Sequence, residues 1–454
     1  AKIFLFFCAI FLMKQHTNSS HNNWLPPDDP LRVSLHNEVH TRQSQKIHLP
    51  ALVVYVAVIS SDITLKQEYE HLRRLPGQDA ITVDDLQHNF IRLRLQGYTL
   101  RWERHTEFTS YLLVQHLPKT AQLGEVDPEL LSSLLLPEGW LSAIPGKTFS
   151  AIKLVMVHGN LENPEEMLLS ARNWFGDRTI VASLVGKNIR SLVVTDFMLR
   201  DTGFERMLVI APSNISVTRA GRIAQRLVEI ETYRVMALRG LPVAKKLDST
   251  LSKAEKQLAS ITDQLKNKVA SEQELLDRLV SLAVHIERLT IEHMYRFTAT
   301  RAYDKMITQR INELKEKAIP GTQIIGEFMW RRLSPAIAKI KHTAQRMGTL
   351  SGRISYTSAL LRTQVNILTE AQNQLLLEKL TRGQELQLQL QKTVEGLSIA
   401  AISYYIVSLI LYLAKAGEVV GLLAHPELVT GVLIPVVLLV VWYITRYIHN
   451  KYLK

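Results

Sequence analysis

The feature that most constrains this chain is a pair of apolar stretches near its C-terminal end. They cover residues 394–416 and 428–445, and a short polar link, residues 417–427, separates them. Each stretch is close to the ~20 residues that an α-helix needs to cross the hydrocarbon layer of a bilayer. The pattern therefore predicts a transmembrane helical hairpin with a soluble body tied to it.

Charged residues around the hairpin predict its orientation. Around the link, Lys415 at the end of the first stretch is set against Glu418 and Glu427. Both outer flanks are basic: Lys379, Arg382, Lys392, Arg446, Lys451 and Lys454. Because basic segments stay on the cytoplasmic side, we expect both ends of the hairpin, the bulk of the chain and the basic tail 446–454 in the cytoplasm.

Length, charge and cysteine content narrow the class of protein. The 454 residues suffice for two or three domains. The formal net charge of +12 indicates an anionic partner, but no run of five Lys or Arg occurs, so we expect a lipid bilayer and no nucleic acid. The single cysteine, Cys8, excludes an internal disulfide and a cysteine-rich metal site.

Residues 1–50 read as an N-terminal arm. Residues 3–11 form an apolar run that is similar to the hydrophobic part of a signal peptide but too short to span a bilayer. We expect Met13 to be the true start and residues 1–12 to be non-native, and the alternative is a real targeting segment.

Residues 51–212 predict an α+β domain with a mixed or antiparallel sheet. A buried strand at 51–60 precedes a helix at 62–75 capped by Asp62, and a three-strand meander follows. The same order returns with a strand at 152–158, a helix at 164–175 and three further strands. The order favours a strand-helix-meander duplication, and the alternative is an ordinary α+β sheet.

Residues 213–393 predict a long helical stalk. The pattern is interrupted at Pro335, and no proline follows until beyond the first apolar stretch. Apolar residues then recur at steps of mostly 3, 4 or 7, which is typical of a coiled-coil seam. A continuous helix of about 80 residues would be ~120 Å long. This seam predicts a homo-oligomer, and the alternative is a compact antiparallel bundle of shorter helices.

Five separated stretches carry a resemblance to a known family: residues 30–42, 101–108, 229–238, 326–333 and 391–398. Together they resemble the bacterial family of predicted membrane-anchored proteins of unknown function. The resemblance implies a membrane location, which we expect to be the bacterial inner (cytoplasmic) membrane, and it brings no established activity.

In layout alone, the chain also resembles the CorA-type divalent-cation channels. These combine an α/β cytoplasmic domain, a stalk helix and two C-terminal spans in an oligomer. Their Gly-Met-Asn signature is missing, and Lys415 lies in the corresponding place, where its charge would repel divalent cations. The likeness therefore implies a similar assembly rather than magnesium transport.

Two polar clusters are candidate sites in the body. His36, Glu38 and His40 alternate along the chain, so a strand would place all three on one face, where two imidazoles and a carboxylate suit zinc or iron. The alternative is a polar arm that hydrogen-bonds the domain.

The second cluster comprises Glu103, Arg104, His105 and Glu107 in a predicted hairpin. Glu103 and His105 share one strand face and could form a general acid–base pair. Cross-strand ion pairing is the structural alternative.

The first apolar stretch carries a third candidate set. Ser398, Tyr405 and Tyr412 are seven residues apart and form one helical stripe, and Glu395 lies at its inner edge. Such a stripe indicates either a helix–helix contact in lipid or a pore lining with a ring of carboxylates.

The first functional hypothesis is a non-enzymatic, C-terminally anchored membrane protein that acts through oligomeric assembly or partner binding. The phosphate-binding, dinucleotide-binding and common hydrolase motifs are absent, which disfavours those chemistries. The alternatives are an oligomeric CorA-like ion channel and a membrane-attached metal-dependent enzyme. No cofactor is predicted apart from a divalent metal in the third case.

Overall fold

The computed structural model of this chain describes residues 29–32, 44–118, 121, 134–188, 190–419 and 426–452. The described residues divide into two compact units. The first comprises those up to 257 and residues 284–352, and the second comprises 258–283 and those from 353 onward.

The first unit contains an eight-stranded mixed sheet in the order β2-β3-β4-β1-β5-β8-β7-β6. The strands are β1 (Ala51–Ile59), β2 (Phe90–Leu95), β3 (Tyr98–Arg104), β4 (Phe108–His116), β5 (Lys147–His158), β6 (Val181–Val185), β7 (Ser191–Leu199) and β8 (Glu205–Ala211). Long helices follow the sheet, so the predicted fold class, an α+β domain followed by long helices, is confirmed.

The central strand β1 is an apolar run because both of its faces are covered. Eight of its nine residues are buried, and it pairs antiparallel with β4 and with β5. Its even-numbered residues, such as Val54, join a core that includes Leu72 and Trp102. On the opposite face, the hydroxyl of Tyr55 lies 2.9 Å from Thr232 of the helix that follows the sheet.

The order of elements repeats across the two halves of the sheet, as the sequence indicates. The pairing differs, however: β1 and β4 are antiparallel, whereas β5 and β8 are parallel. The two halves therefore share an element order and differ in the direction of the last strand relative to the first.

Three shorter α-helices accompany the sheet in the part of the chain that the structure describes: α1 (Leu65–Leu72), α2 (Pro164–Phe175) and α3 (Val217–Leu238). The predicted Asp62 cap of α1 is wrong. Thr64 caps the helix, because its side chain accepts from Gln67 N–H while the Gln67 side chain accepts from Thr64 N–H. Ser216 caps α3, accepting from Arg219 N–H.

Four long helices complete the chain: α4 (Gly240–Asn267), α5 (Glu272–Leu314), α6 (Ile325–Val419) and α7 (Pro426–Tyr452). The interruption predicted at Pro335 is wrong, because α6 runs through it. An interior proline costs about 3 kcal/mol. Burial of Leu333 and Ile337 on either side offsets that cost.

The second unit holds the adjoining ends of α4 and α5, the later part of α6, and α7. Its buried residues include Ile261 of α4, Leu275 and Leu279 of α5, and Ile354 and Leu361 of α6. No residue of α6 between 362 and 402 is buried. The stretch of α6 for which the sequence predicts an apolar seam is therefore largely exposed beyond Leu361.

Candidate functional site

Glu107 of the predicted polar cluster lies at the turn between β3 and β4 and is tied to α5. Its carboxylate accepts hydrogen bonds from Arg296 at 2.7 and 2.9 Å and from the Tyr303 hydroxyl at 2.8 Å. Arg296 and Tyr303 are seven residues apart and so lie on one helix face. This bidentate pair fastens the hairpin to the helix.

Arg104 of the same cluster points to α1. Its guanidinium donates to Glu68 at 2.6 Å and to the Ile63 carbonyl at 2.7 Å. Glu68 also accepts from Thr109 at 2.6 Å, and burial raises the pKa of this carboxyl. These bonds hold α1 against the sheet.

Glu103 and His105 lie on the face that α3 covers. Glu103 forms a buried ion pair with Arg101. The Oε1 atom of Glu103 lies 3.9 Å from the Nε2 atom of His105. The neighbouring crevice, which Tyr55 and Tyr233 also line, encloses about 30 Å³. That is room for about one water molecule, so this crevice is too small to enclose an organic substrate.

The four residues of the polar cluster therefore make three separate sets of contacts. Each satisfies a polar group where a helix meets the sheet, which is the usual reason for a buried ion pair. Glu107 illustrates why the sequence could not assign the partners, because Arg296 is 189 positions away.

The predicted metal ligands His36, Glu38 and His40 lie outside the described residues. Within the part of the chain that the structure describes, no group of three or more His, Cys, Asp or Glu side chains could hold a metal ion.

A cavity of about 750 Å³ in the first unit was not foreseen from the sequence. Its walls come from the segment between α2 and β6, the end of β7, α3, and the start of α6 with its preceding loop. The charged lining residues are Arg172, Asp177, Arg178, Asp196, Arg234 and Arg332. We name this space the arginine cavity.

A bulge in β7 shapes the arginine cavity. The register between β7 and β8 shifts between Thr195 and Leu199, and Phe197 adopts a φ of 50°. A bulky residue rarely takes this left-handed conformation, and bulges re-aim side chains beside functional sites. As a result Phe197 lies in the wall and stacks on Phe328, with ring centroids 5.0 Å apart and an interplanar angle of 13°.

A buried carboxyl pair underlies one side of the cavity. Arg234 bonds Glu231 at 2.7 Å and Glu205 at 3.4 Å. Burial, with the adjacent Glu231 charge, raises the pKa of Glu205 to about 9. Glu205 is therefore protonated at neutral pH, and Glu231 balances the Arg234 charge. Glu231 and Arg234 are three residues apart on α3, so their ion pair is local.

The predicted helical stripe is exposed on α6. Ser398, Tyr405 and Tyr412 are all exposed, and Glu395 at its inner edge is half-buried. The buried residues of this part of α6 are Ser403 and Ala414, eleven apart and so on one line of the helix. Tyr405 is two residues from Ser403, and Tyr412 is two residues from Ala414, which corresponds to about 200° around the helix. The predicted stripe therefore lies on the side of α6 opposite to its buried residues.

Both C-terminal helices are apolar. Among the described residues, α6 and α7 each contain a segment that is long and apolar enough to cross a membrane. Only 11% of that segment in α6 and 17% of it in α7 is buried. The fold thus defines a class: an α+β protein with long helices and two C-terminal candidate membrane spans.

The chain belongs to the family described as "Protein of unknown function (DUF3422)", whose model matches residues 27–452. This agrees with the resemblance to a family of unknown function, and the description carries neither a membrane location nor a link to CorA-type channels. No curated protein and no solved structure matches the chain.

Proposed function

We propose that this protein is anchored in a bilayer by α6 and α7 and that copies of it assemble through α6. The bulk of the chain and both termini lie on the cytoplasmic side of a bacterial inner membrane. The observation that carries the proposal is the exposure of long apolar helix surfaces in the second unit.

The exposed surface of the two apolar helices favours lipid over water. The apolar core helix of a soluble protein is mostly buried, whereas these windows are 11% and 17% buried. Side chains such as Leu409, Leu413 and Leu439 are at least 62% exposed. A contiguous apolar surface of this kind is rare on a soluble monomer and marks a membrane or protein contact.

The stretch of α6 before the apolar span favours a protein partner. Leucines at 368, 375, 380 and 390 are 47–68% exposed although charged and glutamine side chains surround them. Leu368 and Leu375 continue, at steps of seven residues, the line on which Ile354 and Leu361 are buried. An amphipathic helix in water gains stability when a partner covers its apolar stripe.

A second copy is the partner that this stretch fits best. Its charges are balanced, with glutamates at 370, 378, 385 and 395 against basic residues at 362, 379, 382 and 392. A near-neutral helix with both signs interspersed can pair with itself without net repulsion. The exposed stripe of Ser398, Tyr405 and Tyr412 extends the same contact into the lipid layer.

Membrane anchorage is tested by fractionation. The full chain should stay in the membrane pellet after alkaline carbonate washing, whereas a chain ending at Lys392 should move to the supernatant. Release of the full chain by carbonate would refute the anchor.

Orientation is tested with single cysteines in a Cys8→Ser background. A membrane-impermeant maleimide applied to intact cells should label Glu427→Cys, which lies at the link, and should leave Lys256→Cys unlabelled until the cells are lysed. Both positions are exposed in the structure, so access depends on the side of the membrane. Labelling of Lys256→Cys in intact cells would contradict the cytoplasmic body.

Self-association is tested by mass measurement of the full chain in detergent. Leu375→Asp places a charge in the exposed seam and should convert oligomers to monomers, whereas the matched control Asn373→Asp should leave the mass unchanged. A monomeric wild-type chain would refute the assembly.

Ion flux into liposomes separates assembly from transport. Flux that is lost on Glu395→Ala would favour the channel alternative, which, like the metal-enzyme alternative, stays a prediction from the sequence.

A further inference from the structure

We propose that the arginine cavity of the first unit binds a small organic anion that carries a flat ring together with a phosphate or carboxylate group. The proposal joins three observations: the number and pairing of its guanidinium groups, the stacked aromatic pair in its wall, and its size. It concerns the first unit alone and does not depend on membrane anchorage or on assembly.

Two of the guanidinium groups at the arginine cavity have no carboxylate partner among the described residues. Arg172 and Arg332 form no ion pair with any carboxylate in the described ranges. Arg178 lies 3.9 Å from Asp196, whose carboxylate is already bonded by Arg200 at 2.7 Å. An incoming anion can therefore engage these arginines at little cost in broken ion pairs.

Arginine suits this task better than other cations. Its planar guanidinium presents paired N–H donors that match the oxygen atoms of a phosphate or carboxylate. Arg172, Arg178 and Arg332 are exposed at the cavity wall, and they come from two separate segments of the chain. Guanidiniums that converge from separate segments can hold one anionic group from more than one side.

The aromatic pair supplies a surface for the rest of the ligand. Phe197 and Phe328 are half-buried and stacked, and the guanidiniums of Arg234 and Arg332 lie 6.0 and 5.1 Å from their respective ring centroids. A flat ligand ring can pack edge-to-face against the exposed edges of such a pair. The left-handed backbone at Phe197 is the kind of strain that accumulates at ligand sites.

The volume sets the size of the ligand. A cavity of about 750 Å³ falls within the range of ~300–1,000 Å³ that holds small molecules and cofactors. Inorganic phosphate alone would leave most of this space and the aromatic wall unused.

The test is isothermal titration of the full-length chain in detergent with four probes. Adenosine monophosphate and salicylate each combine a ring with an anionic group, as a phosphate and as a carboxylate. Adenosine and inorganic phosphate each supply one part alone. We expect one of the two combined probes to bind at least tenfold more tightly than either partial probe, and the one that does identifies the anionic group.

The variants assign the binding to the cavity. Arg332→Ala and Arg172→Ala should each raise the Kd of the combined probe roughly tenfold, as expected for loss of a charged hydrogen bond. Arg331→Ala removes the same charge from the adjacent position, outside the cavity, and should change the Kd less than twofold. Phe328→Leu should weaken the combined probe and leave inorganic phosphate unchanged.

Two results would overturn the proposal. One is that neither combined probe binds at 1 mM, and the other is that Arg331→Ala weakens binding as much as Arg332→Ala, which would indicate a general charge effect. Because Arg172 and Arg332 are exposed and have no carboxylate partner in the described chain, their variants should keep the wild-type thermal midpoint, so loss of binding reports the site and not unfolding.

Discussion

Gly221 should be the glycine at which a methyl group is most harmful. It lies in α3 beneath the segment that leads into β1, and an alanine Cβ there would overlap the Gln45 carbonyl oxygen and lie 2.9 Å from the Gln45 carbonyl carbon. Both atoms belong to the backbone, so no side-chain rotation relieves the overlap. Gly221→Ala must therefore separate the segment around Gln45 from the helix.

The size of the effect follows from what that segment contributes. Ile47 is 2% exposed, and its N–H donates to the Val217 carbonyl at 3.1 Å. Loss of its burial costs about 1.5–3 kcal/mol, and loss of the hydrogen bond costs about 0.5–1.5 kcal/mol. The higher helix propensity of alanine offsets about 1 kcal/mol. We expect a net loss of about 1–3.5 kcal/mol in the free energy of unfolding of the first unit.

Limited trypsin digestion reports this change locally, because Lys46 lies in the affected segment. Cleavage at Lys46 should become faster in Gly221→Ala, and the urea midpoint of the first unit should fall. Gly348→Ala is the matched control, since its Cβ would meet no atom within 4 Å in the interior of α6. The control should be neutral or slightly more stable. If both variants keep the wild-type cleavage rate and midpoint, the packing of this segment on α3 is refuted.

Three further predictions concern ionisable groups removed from water. Burial raises the pKa of Glu205 to about 9, so the folded protein binds this proton more tightly than the unfolded chain does. The free energy of unfolding should therefore be highest at acidic pH and fall as the pH rises toward 9. Glu205→Gln should reduce this decline and raise the urea midpoint at pH 8. Burial lowers the pKa of His71 to about 4, so stability present above pH 6.5 is lost as pH falls toward 4. His71→Leu should flatten that acid limb, and an unchanged limb in urea titrations would assign it to other groups. Arg296→Met leaves the half-buried Glu107 with the Tyr303 hydroxyl as its remaining described donor from α5. The variant should lose about 1–3 kcal/mol in the free energy of unfolding, measured in urea. A Glu107→Gln, Arg296→Met double variant should recover part of this loss.

The strands could be predicted closely because their signals are local. The bounds of β2 and β4 agree with alternating runs between turn residues, and Pro164 marks the start of α2. The errors arise where two local signals compete. Asp62 and Thr64 are both acceptable caps, and only the glutamine three residues after Thr64 completes a capping box. Pro335 is a helix breaker by itself, but buried neighbours on both sides override it.

The arginine cavity could not be predicted because no local signal describes it. Its lining comes from separate segments, between Arg172 near one end of the sheet and Leu333 in α6. Its aromatic wall depends on a bulge and a left-handed φ at Phe197, which is a residue that sequence reasoning places in a regular strand. Arginines that are far apart in the sequence are expected to be solvent-exposed surface residues, and only the fold shows that they line one cavity.

The two units differ in how their apolar and charged groups are satisfied, and this difference separates the two proposals. In the first unit, the buried Glu68 and the half-buried Glu107 each accept hydrogen bonds from an arginine and from a hydroxyl group. Two arginines at the cavity differ, because they have no carboxylate partner in the described chain. They therefore offer a site for an external anion. In the second unit, the exposed surface is apolar, and the number of charged residues beside it falls along α6. The leucines before residue 394 are interspersed with charges, which favours a protein partner in water. The side chains beyond it are almost free of charge, which favours lipid. One helix would therefore carry the assembly contact and the anchor in sequence, so a substitution such as Leu375→Asp should abolish association while leaving the protein in the membrane.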